Sequence, residues 1–122
     1  MSWTYSQSTG QLRLKGKLVA GGYSGLGIYK NDPDAEARRA EGPIPRGRWK
    51  IIGVYDSAKV GPYALALTPI GHDAHGRTDF RIHGDSAQHP GGASNGCIVP
   101  EGGLATRKRI WTSGDHDLEV IR

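Results

Sequence analysis

Apolar and polar residues alternate with a period of two in several short stretches of the chain. Trp3 and Tyr5 alternate with Thr4 and Ser6, and after a Ser8-Thr9-Gly10 turn Leu12 and Leu14 repeat the spacing. Side chains two apart share one face of a strand. With Leu18-Val19-Ala20 following Gly16, these segments predict an N-terminal meander of two or three strands. Trp49 to Tyr55 and Pro62 to Pro69 are rich in β-branched, aromatic and aliphatic residues and are bounded by Gly53, Gly61 and Gly71, so they are expected at the centre of the sheet. Asp79 to His83 reads as a further strand, with Phe80 and Ile82 on one face and Arg81 and His83 on the other. Leu118 to Ile121 is the last.

Helical signals are fewer. Asn31-Asp32-Pro33-Asp34 is a start signal for a short helix through Ala40. Glu101 to Trp111 carries an amphipathic stripe of Leu104, Ile110 and Trp111, ended by Ser113-Gly114. Gly21 to Tyr29 (GGYSGLGIY) holds too much glycine for a regular element, and GPIPRG, from Gly42 to Gly47, is a rigid turn because both prolines fix the backbone and remove donors. The pattern predicts a mainly β, compact single domain over residues 1–122: a small sheet or barrel-like sandwich with one or two short helices. Nineteen glycines and seven prolines against one phenylalanine strengthen the case for many turns between short strands.

Charge changes little. Sixteen Lys and Arg against twelve Asp and Glu leave a formal net charge of +4, scattered except at Arg107-Lys108-Arg109. That is a weak field for approaching a polyanionic envelope and no nucleic-acid footprint. No run approaches the roughly 18–20 apolar residues that span a bilayer, and the polar stretch Met1 to Gln11 lacks the core of a classical signal peptide, so no membrane insertion is expected. The single cysteine, Cys97, excludes an internal disulfide and a Cys-rich zinc site. It is either a small buried hydrophobe or a reactive group.

Its surroundings favour chemistry. Phe80-Arg81-Ile82-His83-Gly84-Asp85 brings an imidazole to a strand end, and after a loop of small residues Ala93-Ser94-Asn95-Gly96-Cys97-Ile98 presents a thiol in a glycine turn. A cysteine nucleophile needs the thiolate, a few per cent of the thiol at neutral pH, and a neighbouring imidazole lowers that cost. Gly96 lets a substrate carbonyl approach the backbone, and the amides near Gly96 and Cys97 are candidate donors to an oxyanion. Ser94 and Asn95 either orient the substrate or support the turn. Asp85 is a candidate third member of a triad, with a turn carboxylate as the equal alternative and a backbone carbonyl as another way to orient the ring. Tyr23, between glycines, either covers the cleft or anchors a loop. His72, His75, His83 and His89 match no zinc motif, so neither metal nor cofactor is expected.

The spaced segments together resemble the L,D-transpeptidase (YkuD-like) catalytic motif, in which His-Gly is followed after a loop by Ser/Thr-His-Gly-Cys. Here the matching residues are His83-Gly84 and Ser94-Asn95-Gly96-Cys97. Across nearly the full chain, TYSQSTGQL, GGYSG, GPIPRG, FRIHGD, HPGGASNGCI and WTSGDHDLEV resemble the L,D-transpeptidase effectors delivered by type VI secretion systems. That resemblance implies a peptidoglycan enzyme with Cys97 as nucleophile and His83 as base. It would cut the tetrapeptide stem before the D-Ala at position four, by hydrolysis or by exchange with a D-amino acid, without a cofactor. Such an effector would be made in the bacterial cytoplasm and act as an antibacterial toxin in the periplasm of a target cell, with an immunity protein and a secretion-apparatus component as possible partners. Gly84, Arg81 and Tyr23 complete the expected substrate-facing set. Two positions depart from the pattern: Asn95 stands where the broader group has a histidine, and Val99 stands where it has an arginine, leaving Arg81 or Arg46 to compensate. A catalytically silent peptidoglycan-binding module of the same fold is the alternative.

Overall fold

The protein is described by a computed structural model covering residues 2–122. Its strands are β1 (Trp3–Ser6), β2 (Leu12–Leu14), β3 (Lys17–Ala20), β4 (Gly22–Ser24), β5 (Gly47–Ser57), β6 (Gly61–Ile70), β7 (Arg81–Ile82), β8 (Ile98–Pro100) and β9 (Asp117–Ile121), and the described residues hold one α-helix, α1 (Gly103–Thr112). The nine strands form a single sheet in the order β3-β2-β1-β9-β5-β6-β7-β8-β4. The strands at the two ends of that order, β3 and β4, are separated in sequence by Gly21 alone. The chain therefore carries one edge of the sheet round to the other, and the sheet curls into a nearly closed barrel, as expected from the pattern.

Register explains what fills it. Trp3 faces Leu14 on β2 and Leu118 on β9, and Leu118 faces Trp49 on β5. On the other side Leu65, Ile82 and Ile98 stand opposite one another across β6, β7 and β8, and Ile98 pairs with Ser24. Apart from the partly buried Leu14, these apolar side chains are almost fully buried, and together with Ile44 from the proline turn and Ile110 from α1 they make one core. Burial of such side chains contributes about 1.5–3 kcal/mol each, which is why the alternation was a reliable guide to the strands. The hairpin of β5 and β6 is central, as expected; a bulge between Ile51 and Gly53 shifts its register and turns Ile52 to solvent.

Four local expectations change. The glycine-rich run does form a strand: β4 pairs with β8, and Gly22 packs so close to it that a Cβ would lie 2.5 Å from the Val99 carbonyl oxygen. The segment after Asn31 is a 3-10 turn over Pro33–Ala35, capped by Asp32, and not a helix through Ala40. The chain folds back there, with Gly42 against the Ala35 carbonyl at a distance no side chain allows. The strand expected from Asp79 shortens to Arg81–Ile82 because Asp79 takes a left-handed conformation, φ 66°. In α1 the stripe is altered: Leu104 is 44% exposed, whereas Arg107 is buried and donates to the Tyr63 and Pro62 carbonyls.

Candidate active site

Side chains alternate across a strand, so pairing Ile82 with Ile98 in the core sends their neighbours to the opposite face. Those neighbours are Arg81, His83 and Cys97. They line one groove of about 350 Å³, with Asp79, Phe80, Asn95 and Gly96 also on its walls. His83 is 2% exposed and Cys97 8%, so each presents little more than its reactive edge.

The imidazole is oriented by the backbone. His83 Nδ1 lies 2.8 Å from the Gly84 carbonyl oxygen. A carbonyl only accepts, so Nδ1 carries the proton and Nε2 is left with its lone pair. Asp85 bonds elsewhere: it accepts from the Tyr23 hydroxyl at 2.6 Å and from the Ser86 and Gly91 amides. Tyr23 in turn accepts from the Ala93 amide at 2.9 Å. Tyr23 and Asp85 thus tie β4 to both ends of the loop between His83 and Cys97. Burial, followed by the bond to Asp85, pushes the Tyr23 pKa up to about 12, so the hydroxyl stays a donor.

The turn bearing the thiol is held by two buried hydroxyls. Ser94 Oγ accepts from the Gly25 and Gly96 amides and donates to the Cys97 carbonyl, which uses its whole hydrogen-bonding capacity. It faces the protein interior, not a substrate. Ser24 Oγ donates to the Gly96 carbonyl and accepts from the Ile44 amide. Beneath the turn, the buried Arg77 guanidinium donates to the carbonyls of Glu36, Gly42, Pro43 and Asn95 and stacks over Phe80 at 5.0 Å. Gly96, at φ 141°, sits so near it that a Cβ would come within 2.4 Å of Nη2. Glycine is required there on both counts. The Gly96 amide is committed to Ser94, whereas the Cys97 amide has no acceptor among the described residues.

Electrostatics set the resting charge of the pair. Burial pushes the Cys97 thiol up, while Arg81, through its amide and its guanidinium, acts in the opposite sense without overcoming it. Burial also lowers the His83 pKa, the Gly84 carbonyl opposing and the charges of Arg81 and Arg107 reinforcing. Both directions favour a neutral thiol beside a neutral imidazole. The thiol hydrogen bonds to the Asp79 carbonyl at 3.5 Å and not to the ring.

Residues outside the groove are engaged elsewhere. Arg46 and His75 both bond the Glu36 carboxylate, which removes Arg46 as a groove cation. His72 accepts from the Ala74 amide and donates to the Arg48 carbonyl. Among the described residues no helix is long and apolar enough to cross a membrane.

The Tlde1 domain matches residues 19–108, well over half of the chain and inclusive of every groove residue named above. The chain belongs to the Tlde1 family. This is a family of type VI secretion effectors with peptidoglycan-related activity, secreted into target cells and accompanied by immunity partners. No curated protein and no solved structure matches the chain. The matched segment leaves out β1, β2 and β9, which supply core but no groove residue. Two Tlde1 residues that build the site escaped the reading of the sequence, Ser24 and Arg77; a backbone carbonyl was among the alternatives for orienting the imidazole, and that of Gly84 takes the role. Ser24 stands in GGYSG beside the singled-out Tyr23, and that glycine spacing was its one signal; Arg77 had none, since a lone arginine in a loop reads as solvated.

Proposed function

We propose that this Tlde1 domain is a cysteine L,D-carboxypeptidase or transpeptidase acting on the peptidoglycan tetrapeptide stem. The observation that carries the reading is the imidazole pinned by Gly84, its Nε2 unprotonated, in one groove with the chain's single thiol. The Cys97 sulfur attacks the carbonyl of the third stem residue, and its proton passes to His83 Nε2. The tetrahedral oxyanion is met by the Cys97 amide. As the C–N bond breaks, the imidazolium returns that proton to the departing D-Ala nitrogen, leaving a thioester. Water attacks the thioester with His83 again as base, releasing the tripeptide and restoring the thiol; a D-amino acid in place of water gives exchange. Because the resting pair is neutral, proton transfer accompanies attack and no preformed thiolate is needed. Gly84 acts through its carbonyl as the orienting group, and the Tyr23–Asp85 pair keeps the loop in register.

The test is incubation of the purified protein with tetrapeptide muropeptides and mass analysis of released D-Ala. Cys97→Ala is expected to lower the rate roughly a thousandfold or more; a variant as active as wild type ends the mechanism. The bond from the thiol to Asp79 favours a second reading, a silent peptidoglycan-binding module. Muropeptide binding with no D-Ala release by the wild-type protein would establish it.

A further inference from the structure

The groove beside Cys97 is lined by four cations, Arg39, Lys59, Arg77 and Arg81, and one carboxylate, Asp79. Ion pairs among the described residues join Arg38 to Glu41, Arg46 and His75 to Glu36, Lys50 to Asp117 and Arg122 to Asp34, and include none of these four. A cluster of like charges without counter-ions is costly unless an anion fills the space. The four are not equivalent. Arg77 spends its guanidinium on backbone carbonyls below the nucleophile turn, and Arg39 and Lys59 stand exposed at the rim.

Arg81 differs from all three. It is half-buried, its Nε donates to the Tyr55 hydroxyl and its Nη1 to the Asp79 carbonyl. These neutral acceptors fix the plane of the guanidinium, which forms no ion pair among the described residues. Nη2 has no partner among the described residues. The same guanidinium shares the groove wall with Cys97 and favours its thiolate.

Resting on the peptidase reading, we propose that Arg81 is the receptor for the C-terminal carboxylate of the leaving residue. In a peptide cut before its last residue, that carboxylate lies three bonds from the attacked carbon. A cation beside the sulfur is therefore placed to hold it while the thiol adds to the carbonyl, and a planar guanidinium suits a carboxylate better than an ammonium does. The groove is thereby specific for the end of a stem. A peptide extended or capped at that point puts a neutral group against Arg81 and leaves the charge uncompensated.

The experiment compares a tetrapeptide stem ending in a free carboxylate with the same stem ending in a carboxamide. Wild type is expected to prefer the acid by roughly 10- to 100-fold in kcat/KM. Arg81→Gln should bring the two within about threefold, by slowing the acid more than the amide, and Arg81→Lys should restore part of the preference. Equal turnover of acid and amide by wild type, or an undiminished preference in Arg81→Gln, overturns the inference. Calorimetry with the Cys97→Ala protein separates this from the chemistry: tighter binding of the acid than the amide, lost in Cys97→Ala/Arg81→Gln, supports the receptor even where wild type releases no D-Ala and the peptidase reading falls. Equal binding of the two peptides by Cys97→Ala counts against it.

Discussion

The barrel and the groove are held together by different means. In the barrel, Trp3, Trp49, Leu65, Ile82 and Leu118 meet in register across neighbouring strands, and stability comes from apolar area removed from water. At the groove, loops are fastened by side chains bonded to backbone: Ser94 and Ser24 to the nucleophile turn, Arg77 to four carbonyls, and Tyr23 with Asp85 across the loop between His83 and Cys97. Burial is tolerant of detail, whereas a buried polar group without its partner costs its full desolvation. The site is therefore the part of the molecule in which a single atom matters most.

The sharpest test of that contrast is Trp49→Ala. Removing a fully buried indole from the middle of the barrel should cost about 3–5 kcal/mol, read as a lowered denaturation midpoint with an unchanged slope. The protein that remains folded should retain its kcat, since the loss is global. Ser94→Ala comes next. It strips acceptors from the Gly25 and Gly96 amides and a donor from the Cys97 carbonyl, for about 1–3 kcal/mol, and D-Ala release should fall by more than the loss of folded protein explains. If Trp49→Ala lowered kcat at full folding, or Ser94→Ala left it intact, the division of labour would be wrong.

A smaller effect is expected at Glu36, which links the proline turn to the groove wall. Burial raises its pKa, but hydrogen bonds from Gln7, His75 and Arg46 outweigh that and hold it down at about 2. A carboxylate lowered on folding stabilises the native state above its unfolded pKa and loses that contribution as pH falls towards the folded value. Acid titration should thus show stability dropping between about 4.5 and 2. Glu36→Gln should flatten that part of the curve at a cost near neutrality of about 1 kcal/mol once solvent screening is allowed for. The least of the effects concerns His83. The base must be neutral to accept the thiol proton, and burial lowers its pKa below the ordinary 6.5, so the acid limb of kcat/KM should have its midpoint under that value. A midpoint above it would mean that the ring meets a negative charge in the free enzyme, as in a thiolate–imidazolium pair.

Much of the barrel was legible in the sequence: period-two alternation, which reports burial on one face, marks β1 and β2, and β-branched, aromatic and aliphatic content between glycines marks β5 and β6. These signals misled where backbone geometry took over. Asp79 looked like strand but adopts a left-handed turn that aims its carbonyl at the thiol, and Gly22 looked like loop but is the residue that lets β4 lie against β8. In α1 the buried Arg107 was hidden for another reason: its stem packs inward while its charge is satisfied by carbonyls on β6, which no apolar pattern records. At the site, His83 and Cys97 were recognisable as a pair by their spacing and by the motifs around them. A backbone carbonyl was one of the alternatives for orienting the ring, but that it would be the Gly84 carbonyl was not legible, since a carbonyl has no side chain to signal its use.

The order of residues alone was enough for a β-rich fold, for one thiol and one imidazole at opposite ends of a loop, and for the resemblance that ties them to peptidoglycan. Those features are local, or are carried by residue types at set intervals. Tertiary packing decided the rest: which ring nitrogen of His83 is unprotonated, that Ser94 braces the turn from within, that Arg46 leaves the groove for Glu36, and that Arg81 stays beside the sulfur without a counter-ion. Each of these depends on segments distant in the chain meeting at hydrogen-bond range, and contacts of that kind exist only once the barrel has closed.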